Sequence, residues 1–157
     1  MTRSTPRGTR VSHVGIAVEA LAASVPFFRE VLELPEISLD DADGARIAGF
    51  TAGETLVELL EADDPNSPIA RFVAKRGPGI HHICFSVDDL DATLERCRKA
   101  GLQLIDDKPR IGAEGKRIAF LHPRSTGGVL IELSTRRALA PRASGSPSCT
   151  PARRAAC

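Results

Sequence analysis

Apolar residues follow two spacings along this chain, and the two spacings alternate in the same order twice. Runs that are apolar at every position or at every second position predict strands, whereas apolar residues three or four positions apart predict helices. The first half therefore predicts a strand, a helix and two further strands. These are a strand at 11–18, a helix starting near Ser24 with Leu21, Val25, Phe28 and Leu32 on one face, and strands at 45–51 and 55–61.

The second half predicts the same order of elements with one additional short strand. Between the halves, Asn66-Ser67-Pro68 is typical of a helix start and Gly77-Pro78-Gly79 of a helix end. These signals predict a short linking helix at 67–77. The elements of the second half are a strand at 80–87, a helix carrying Leu90, Leu94 and Cys97, a strand at 103–105, and strands at 117–121 and 129–134.

Each half is thus interpreted as a β-α-β-β unit with an additional strand, that is, a βαβββ module. A single module would leave one apolar face of its sheet in water, so we expect the two modules to lie side by side. They would form one curved mixed sheet with a concave face and with helices outside, which is an α+β fold. The predicted domain covers residues 11–135, in modules at about 11–62 and 80–135. Residues 1–10 are interpreted as a flexible lead and residues 136–157 as a disordered basic tail.

One sequence motif occurs at the same place in both halves. His13-Val-Gly-Ile-Ala-Val18 matches His82-Ile-Cys-Phe-Ser-Val87 at an offset of 69 residues. The last strand of each module carries a glutamate between apolar residues, which places Glu58 and Glu132 at equivalent positions. Two His and two Glu at equivalent places predict one metal site on the concave face, shared across a pseudo-twofold axis. Imidazole nitrogen and carboxylate oxygen suit divalent cations, and a set without cysteine favours a catalytic site.

Three neighbouring residues are interpreted as structural. His81 directly precedes His82, and strand alternation predicts that its side chain lies on the opposite face. Cys84 lies two residues after His82 and is interpreted as a small packing residue rather than a ligand. His122 stands just before a proline at a turn, where a structural role is favoured over substrate contact.

Charge is distributed unevenly along the 157 residues. Residues 11–135 carry a net charge of −7, whereas the two ends together carry +8. The Arg residues of the ends are sparse and have no aromatic residues between them, which argues against nucleic-acid binding. No apolar run approaches the roughly 20 residues that span a membrane.

The four cysteines form no C-x-x-C pair, which favours free thiols in a reducing, intracellular setting. We therefore expect a cytoplasmic protein. The first ten residues are Arg-rich and free of acidic residues, as transit peptides are, so the mitochondrial matrix is the less favoured alternative.

Several segments resemble the vicinal oxygen chelate superfamily and, within it, the methylmalonyl-CoA epimerases. The similarity extends over residues 11–135. A His-His strand alone is common across the superfamily, but its combination with the two segments that follow it is more specific to the epimerases. The segments are Gly79-Ile-His-His-Ile-Cys-Phe-Ser-Val87, the Phe-Leu-His-Pro turn at 120–123, and Gly127-Gly-Val-Leu-Ile-Glu-Leu133.

The resemblance implies a metal-dependent epimerase that acts on an acyl-CoA and forms a homodimer. It implies that His13, His82 and Glu132 bind the divalent metal and that Glu58 takes the fourth position. Glu132 would also serve as an acid/base at the substrate carbon. Cobalt, manganese, zinc and nickel are not distinguished by these ligands.

One position departs from the family pattern. Some epimerases carry a second glutamate as the opposing acid/base, and that position here is Ile47. Arg46, Glu54, a water molecule or a shifted alignment are the alternatives for the second proton-transfer group. An anionic coenzyme A also needs local cations, for which Lys75, Arg76, Lys116 and Arg117 are candidates that we leave outside the predicted site.

Two other functions fit the same residues. Another metal enzyme of the superfamily, either a glyoxalase-like isomerase or an extradiol-type dioxygenase, would use the same His and Glu ligands. A fourth protein ligand at Glu58 argues mildly against the dioxygenase. A non-enzymatic module that binds a small ligand without metal need not keep His13, His82 and Glu132 together.

Overall fold

Eight strands form one mixed sheet in the computed structural model, which describes residues 8–112 and 115–136. The first module contains β1 (Arg10–Val18), α1 (Leu21–Pro26), a π-helical turn (Phe27–Val31), β2 (Glu36–Ile37), β3 (Ala45–Ala52) and β4 (Thr55–Ala62). A linking helix, α2 (Pro68–Arg76), follows. The second module contains β5 (Gly79–Val87), α3 (Leu90–Lys99), β6 (Arg110–Ile111), β7 (Arg117–Leu121), a 3-10 turn (Pro123–Ser125) and β8 (Ile131–Thr135).

The strand order is symmetric about the centre of the sheet. It runs β2-β3-β4-β1-β5-β8-β7-β6. The central strands β1 and β5 are antiparallel, while β4 runs parallel to β1 and β8 runs parallel to β5. The two predicted βαβββ modules and the α+β class are therefore confirmed. The strand predicted at 103–105 is wrong, because only Leu104 forms an isolated bridge with Leu121, and the short strand is β6 instead.

Helices α1 and α3 cover the outer face of the sheet. Alternation along each strand sends every second side chain to that face, where it meets the apolar side of a helix. The cluster under α3 consists of Val87, Leu90, Leu94, Ala119, Leu121 and Leu133. The cluster under α1 consists of Val18, Phe50 and Leu59, with Leu21, Val25 and Phe28 packed against them.

The linking helix α2 lies on the inner side of the sheet. Ser67 caps it by accepting a hydrogen bond from the backbone N–H of Ala70 at 3.1 Å, and Pro68 occupies its first position. Its buried residue Ile69 packs with Ala17 and Leu60. Leu60 is two residues from Glu58 and therefore shares its face. Helix α2 thus closes one end of the concave face instead of joining α1 and α3 outside.

The helix of the first module begins earlier than predicted. It starts at Leu21 rather than near Ser24, and Pro26 is its last α-helical residue. Proline has no backbone N–H to donate within the helix. The chain then continues as a π-helical turn, in which Leu32 N donates to Phe27 O at 3.0 Å.

Both ends of the domain meet at one place. Arg136 donates a hydrogen bond to Gly8 O at 2.7 Å and lies 3.3 Å from Asp88. Residue 136 is therefore docked on the domain, although the tail was predicted to begin there. The rest of that tail and residues 1–7 lie outside the described residues. Among the described helices, none has the length and apolarity needed to cross a membrane.

We expect Leu94→Ala to lower the free energy of unfolding by about 2–5 kcal/mol, because it leaves a cavity beneath α3. Leu94 is 1% exposed within its cluster. Ile111 is 67% exposed, so Ile111→Ala is the control and should change stability by no more than about 0.5 kcal/mol. Chemical denaturation of both variants checks the expectation. Equal stability of the two variants would contradict this placement of the core.

Candidate metal centre

Two rows of side chains cross the centre of the sheet on its concave face. Pairing places His13 of β1 opposite Cys84 of β5, and Cys84 opposite Glu132 of β8. One row therefore holds an imidazole, a thiol and a carboxylate, contributed by three adjacent strands. Cys84 is fully buried and donates to Ser134 Oγ at 3.3 Å, and its Sγ also lies within 4.8 Å of one donor atom each of His13 and Glu132.

The second row depends on a glycine. Gly15 of β1 lies opposite Glu58 of β4 on one side and His82 of β5 on the other. A Cβ at Gly15 would lie 2.6 Å from His82 Nδ1, closer than non-bonded atoms approach. The absence of that Cβ gives the His82 ring its space. Gly15 was part of the repeated motif, but its role was not predicted from the sequence.

Three donor atoms meet at one point of the concave face. His13 Nε2 lies 3.0 Å from His82 Nε2 and 3.3 Å from Glu132 Oε2, and His82 Nε2 lies 3.2 Å from Glu132 Oε2. Adjacent ligands of an octahedral ion with bonds of about 2.1 Å are about 3.0 Å apart. The triangle of nitrogen and oxygen atoms therefore has the size of one face of such a coordination shell.

Glu58 approaches the same group from the other side of His13. Its Oε1 lies 3.5 Å from His13 Nδ1, the ring nitrogen that points away from the triangle. A carboxylate at Nδ1 favours the tautomer that leaves Nε2 able to bind a cation. Glu58 also belongs to a second possible donor set, with His13 and His82. One donor atom from each of these residues lies within 4.8 Å of the other two. Glu58 can thus orient His13 or complete the donor set.

The electrostatics couple His13 strongly to Glu132. Burial by itself lowers the pKa of His13, but contacts with Cys84 and Glu132 and the charge of Glu58 outweigh it and raise that pKa to about 10. Burial by itself raises the pKa of Glu132, but hydrogen bonds from His13 and His82 lower it to about 2. Without a cation, the site therefore holds a protonated imidazole against a carboxylate.

The pKa of Glu58 is shifted in the opposite direction from that of Glu132. Burial raises the pKa of Glu58, and the nearby charge of Glu132 adds to the shift, although the two imidazoles oppose it. Burial likewise raises the pKa of the Cys84 thiol. The four predicted residues therefore meet as a buried cluster of nitrogen and oxygen donors, a set of ligands that suits a divalent cation.

A cavity of about 330 Å³ opens over these residues and is lined by both modules. Ile47 of β3 lies opposite Leu60 and lines the cavity with an apolar surface. Arg46 instead pairs with Glu61, and neither Arg46 nor Glu54 is among the lining residues. Two of the predicted alternatives for a second proton-transfer group are therefore not part of the cavity.

The prediction that His81 lies on the opposite face from His82 is wrong. Gly15 pairs with His82 while the next residue, Ile16, pairs with Ile80, so His81 is an extra residue at a β-bulge. Both rings line the cavity, with centroids 5.2 Å apart. Burial and the nearby charge of His82 lower the pKa of His81 to about 4, so its ring is neutral near pH 7.

Two further residues were missed because they are far apart in sequence. Arg110 lies 3.4 Å from Asp43 across the cavity, and its guanidinium lies 5.4 Å from the centre of the Phe120 ring. No local pattern links residues 67 positions apart.

The structural interpretation of His122 is supported, since its Nδ1 accepts a hydrogen bond from Arg124 N at 3.1 Å and the ring does not line the cavity.

The fold and the possible metal-binding donor set are those of one superfamily, and the sequence comparisons identify it. A profile of the Glyoxalase/Bleomycin resistance protein/Dioxygenase superfamily matches residues 12–120, so this chain belongs to that superfamily. The predicted resemblance is confirmed.

Three similar proteins narrow the comparison within the superfamily. YqjC of Bacillus subtilis, an uncharacterized protein, is 40% identical over 126 residues, or 79% of this chain and 90% of that protein. The ethylmalonyl-CoA/methylmalonyl-CoA epimerase of Cereibacter sphaeroides is 38% identical over 128 residues, which are 79% of this chain and 96% of that protein. A solved structure of methylmalonyl-CoA epimerase with methylmalonyl-CoA and NH4+ has a TM-score of 0.78 at 36% identity, covering 83% of this chain and 96% of that one.

We expect Gly15→Ala to lower the affinity for Co²⁺ at least about tenfold, because the new methyl group displaces the His82 ring from its donor position. Gly79→Ala is the matched control on β5, since a Cβ there meets nothing within 4 Å. Titration of metal-free protein, followed by the cobalt absorption spectrum, checks both variants. Unchanged cobalt binding in Gly15→Ala would contradict a ligand role for His82.

We also expect metal affinity to rise with pH. His13 has a pKa of about 10 in the metal-free protein, so a cation must displace its proton at any lower pH. Affinity for Mn²⁺ should therefore increase about tenfold per pH unit, or about 100-fold between pH 6.5 and 8.5, with about one proton released. Calorimetry in buffers of different ionisation enthalpy measures both quantities. Affinity that does not change with pH would show that His13 binds no metal.

Proposed function

We propose that this chain is a metal-dependent epimerase that interconverts the (R) and (S) forms of methylmalonyl-CoA by moving the proton at C2. The observation that carries the proposal is the convergence of His13, His82 and Glu132 at one point of a cavity. The names of similar proteins supply the substrate, because the donor set alone would fit other metal enzymes of the superfamily.

The proposed metal ligands are His13, His82 and Glu132, with Glu58 in the fourth position. A bound divalent metal would supply Lewis acidity that makes the C2 proton easier to remove. Two imidazoles and carboxylates accept cobalt, manganese, zinc or nickel, so the donor set does not select one of them. The apolar wall of Ile47 and Leu60 limits water around the reacting carbon.

Glu132 is the proposed acid/base. Its pKa is lowered to about 2, so it has the ionised form that a base requires at neutral pH, although the low pKa by itself makes it a weak base. It is also buried at the base of the cavity, where a bound substrate must lie. Inversion requires a second group on the other side of the carbon. With Arg46 and Glu54 outside the cavity, that group is either another residue that lines it or a water molecule.

We further propose that the protein is a cytoplasmic homodimer, as the resemblance and the cysteine pattern predict. An exposed apolar segment supports an interface between two copies. It contains Phe27, Val31 and Leu32, which are 51%, 69% and 47% exposed. Measurement of the native mass in solution tests the dimer, and a monomeric mass would exclude it.

The deciding experiment follows deuterium uptake. Protein loaded with cobalt or manganese is incubated with one epimer of methylmalonyl-CoA in deuterated water, beside a sample stripped with EDTA. We expect metal-dependent deuterium incorporation at C2 with loss of stereochemical purity, measured by mass spectrometry. If a fully metallated sample exchanges nothing, the epimerase is excluded, and turnover of a glutathione hemithioacetal would indicate a glyoxalase-like enzyme instead.

The same assay separates the roles of two residues. His82→Ala should abolish exchange mainly by lowering metal occupancy, whereas Glu132→Gln should abolish exchange while part of the metal stays bound. His122→Asn is the control, because Asn keeps the capping group of the 3-10 turn and the residue lies outside the cavity. Full activity in either site variant would refute the assignment.

A further inference from the structure

An arginine and an aspartate from opposite edges of the sheet meet at the metal cavity. Arg110 belongs to β6 at one edge, and Asp43 belongs to the loop before β3, near the other edge. Both residues line the cavity, although their side chains are 40% and 55% exposed. The pair therefore lies where the cavity opens to solvent.

Asp43 contacts Arg110 as a bound carboxylate ligand would. Arg110 Nη1 lies 3.4 Å from Asp43 Oδ1, and Nη2 lies 3.4 Å from Oδ2. A guanidinium recognises carboxylates in this parallel arrangement, but charge-assisted bonds of that kind measure about 2.7–2.9 Å. The contact is therefore loose, and an exposed pair contributes little to stability. Another carboxylate can replace Asp43 with little effect on the fold.

Two other residues fix the guanidinium independently of Asp43. Asp106 Oδ1 lies 3.6 Å from Arg110 Nε, and Asp106 is itself held because its Oδ2 accepts a hydrogen bond from Phe120 N at 2.8 Å. The guanidinium carbon lies over the Phe120 ring, 5.4 Å from its centre, where the negative face of the ring attracts a cation. The terminal nitrogens should therefore keep their place when Asp43 leaves.

The same ring connects Arg110 to the candidate metal centre. Phe120 packs edge-on against His82, with ring centroids 5.9 Å apart, and it lies opposite Glu132 in the pairing of β7 with β8. One aromatic ring thus separates the guanidinium from two of the proposed ligands. A substrate headgroup that reaches the metal can place a second polar group at Arg110.

Most of the charged cavity wall disfavours an anionic headgroup. The acidic residues that line it are Asp40, Asp43, Glu58, Asp106 and Glu132. Among the described lining residues, the permanently charged cations are Arg110 and Lys116. Burial raises the pKa of Glu58, and the charge of Lys116 opposes that shift. Lys116 thus acts on a proposed ligand, whereas Arg110 is placed for a group that enters the cavity.

We propose that Arg110 binds the free carboxylate of the substrate and thereby selects acyl thioesters that carry a carboxylate on C2. This inference rests on the proposed function, which supplies such a substrate. Asp43 holds the guanidinium before the substrate binds and competes with the substrate for it. Arginine suits this role better than lysine, because its planar fork binds both oxygens of a carboxylate at once.

A structural latch between the two modules is the alternative role for this pair. A latch would close the cavity over any acyl-CoA, so the loss of either partner would weaken the binding of all thioesters alike. Carboxylate recognition predicts the opposite for Asp43, since its removal frees Arg110 for the substrate. The two roles therefore differ in sign at one residue.

The test compares methylmalonyl-CoA with propionyl-CoA, which lacks only the carboxylate on C2. Calorimetry measures both affinities for the manganese-loaded protein, and the metal content of every variant is determined. Arg110→Gln removes the cation, and Asp43→Asn removes the competing carboxylate. Asp43 has a φ of 53°, in the left-handed region that Asn also adopts, so the turn should tolerate this change. Arg117→Gln is the matched control, since Arg117 pairs with Asp91 of α3 on the outer face.

We expect Arg110→Gln to weaken the binding of methylmalonyl-CoA at least about tenfold and to leave the binding of propionyl-CoA unchanged. Asp43→Asn should tighten the binding of methylmalonyl-CoA about two- to fivefold, because it removes a weak competing pair. That gain should vanish when Arg110→Gln is also present. The Arg117→Gln control should bind both thioesters as the wild type does.

Three results would overturn the proposal. Equal losses for both thioesters in Arg110→Gln and in Asp43→Asn would indicate a latch. A gain in Asp43→Asn that persists in the Arg110→Gln background would show an effect of charge that does not involve Arg110. Loss of the preference for methylmalonyl-CoA in Lys116→Gln, but not in Arg110→Gln, would assign the carboxylate to Lys116.

Failure of this inference and failure of the epimerase are distinguishable. The metallated wild type could incorporate no deuterium and still bind methylmalonyl-CoA more tightly than propionyl-CoA. If Arg110→Gln then removes the difference, the carboxylate site stands without the epimerase. If deuterium is incorporated and Arg110→Gln binds both thioesters as the wild type does, the epimerase stands and Arg110 does not select its substrate.

Discussion

The structure depends on the antiparallel pairing of β1 with β5. Among the described residues they form the one strand pair between the two half-sheets, so their pairing joins two modules into one sheet. The same register brings His13 beside Cys84 and Gly15 beside His82. A shift of one residue would turn these side chains to the other face and separate them. Fold and site are therefore consequences of one ladder of backbone hydrogen bonds.

The buried charges of the site lower the stability of the fold. Buried charges destabilise a fold unless they are paired, and this cluster holds two carboxylates with two imidazoles. The opposite directions of the pKa shifts at Glu132 and Glu58 reflect that conflict: hydrogen bonds from imidazoles stabilise one carboxylate, while burial and its neighbour destabilise the other. Such a cluster is better explained by chemistry with a cation than by stability.

The local distribution of charge resolves an apparent contradiction. The segment 11–135 has a net charge of −7, yet the proposed substrate is an anion. Acidic side chains line the cavity that would hold the metal, whereas the cations Arg71, Lys75 and Arg76 of α2 line a second groove that adjoins it. Helix α2 reaches both spaces because it lies on the inner side of the sheet, with Pro68 at their junction. Local distribution, and not net charge, decides what each surface can bind.

The sequence by itself determined the two βαβββ modules and predicted four side chains that the structure brings together, because apolar periodicity and a motif repeated at a fixed offset are local signals that survive any tertiary arrangement. Only the tertiary structure decided the face of His81, which a β-bulge reverses. It also decided that Glu58 approaches Nδ1 of His13, and that Arg110 meets Asp43 across the cavity. Bulges, cross-strand distances and the place of α2 follow from contacts between distant segments, and periodicity within one segment carries no information about them.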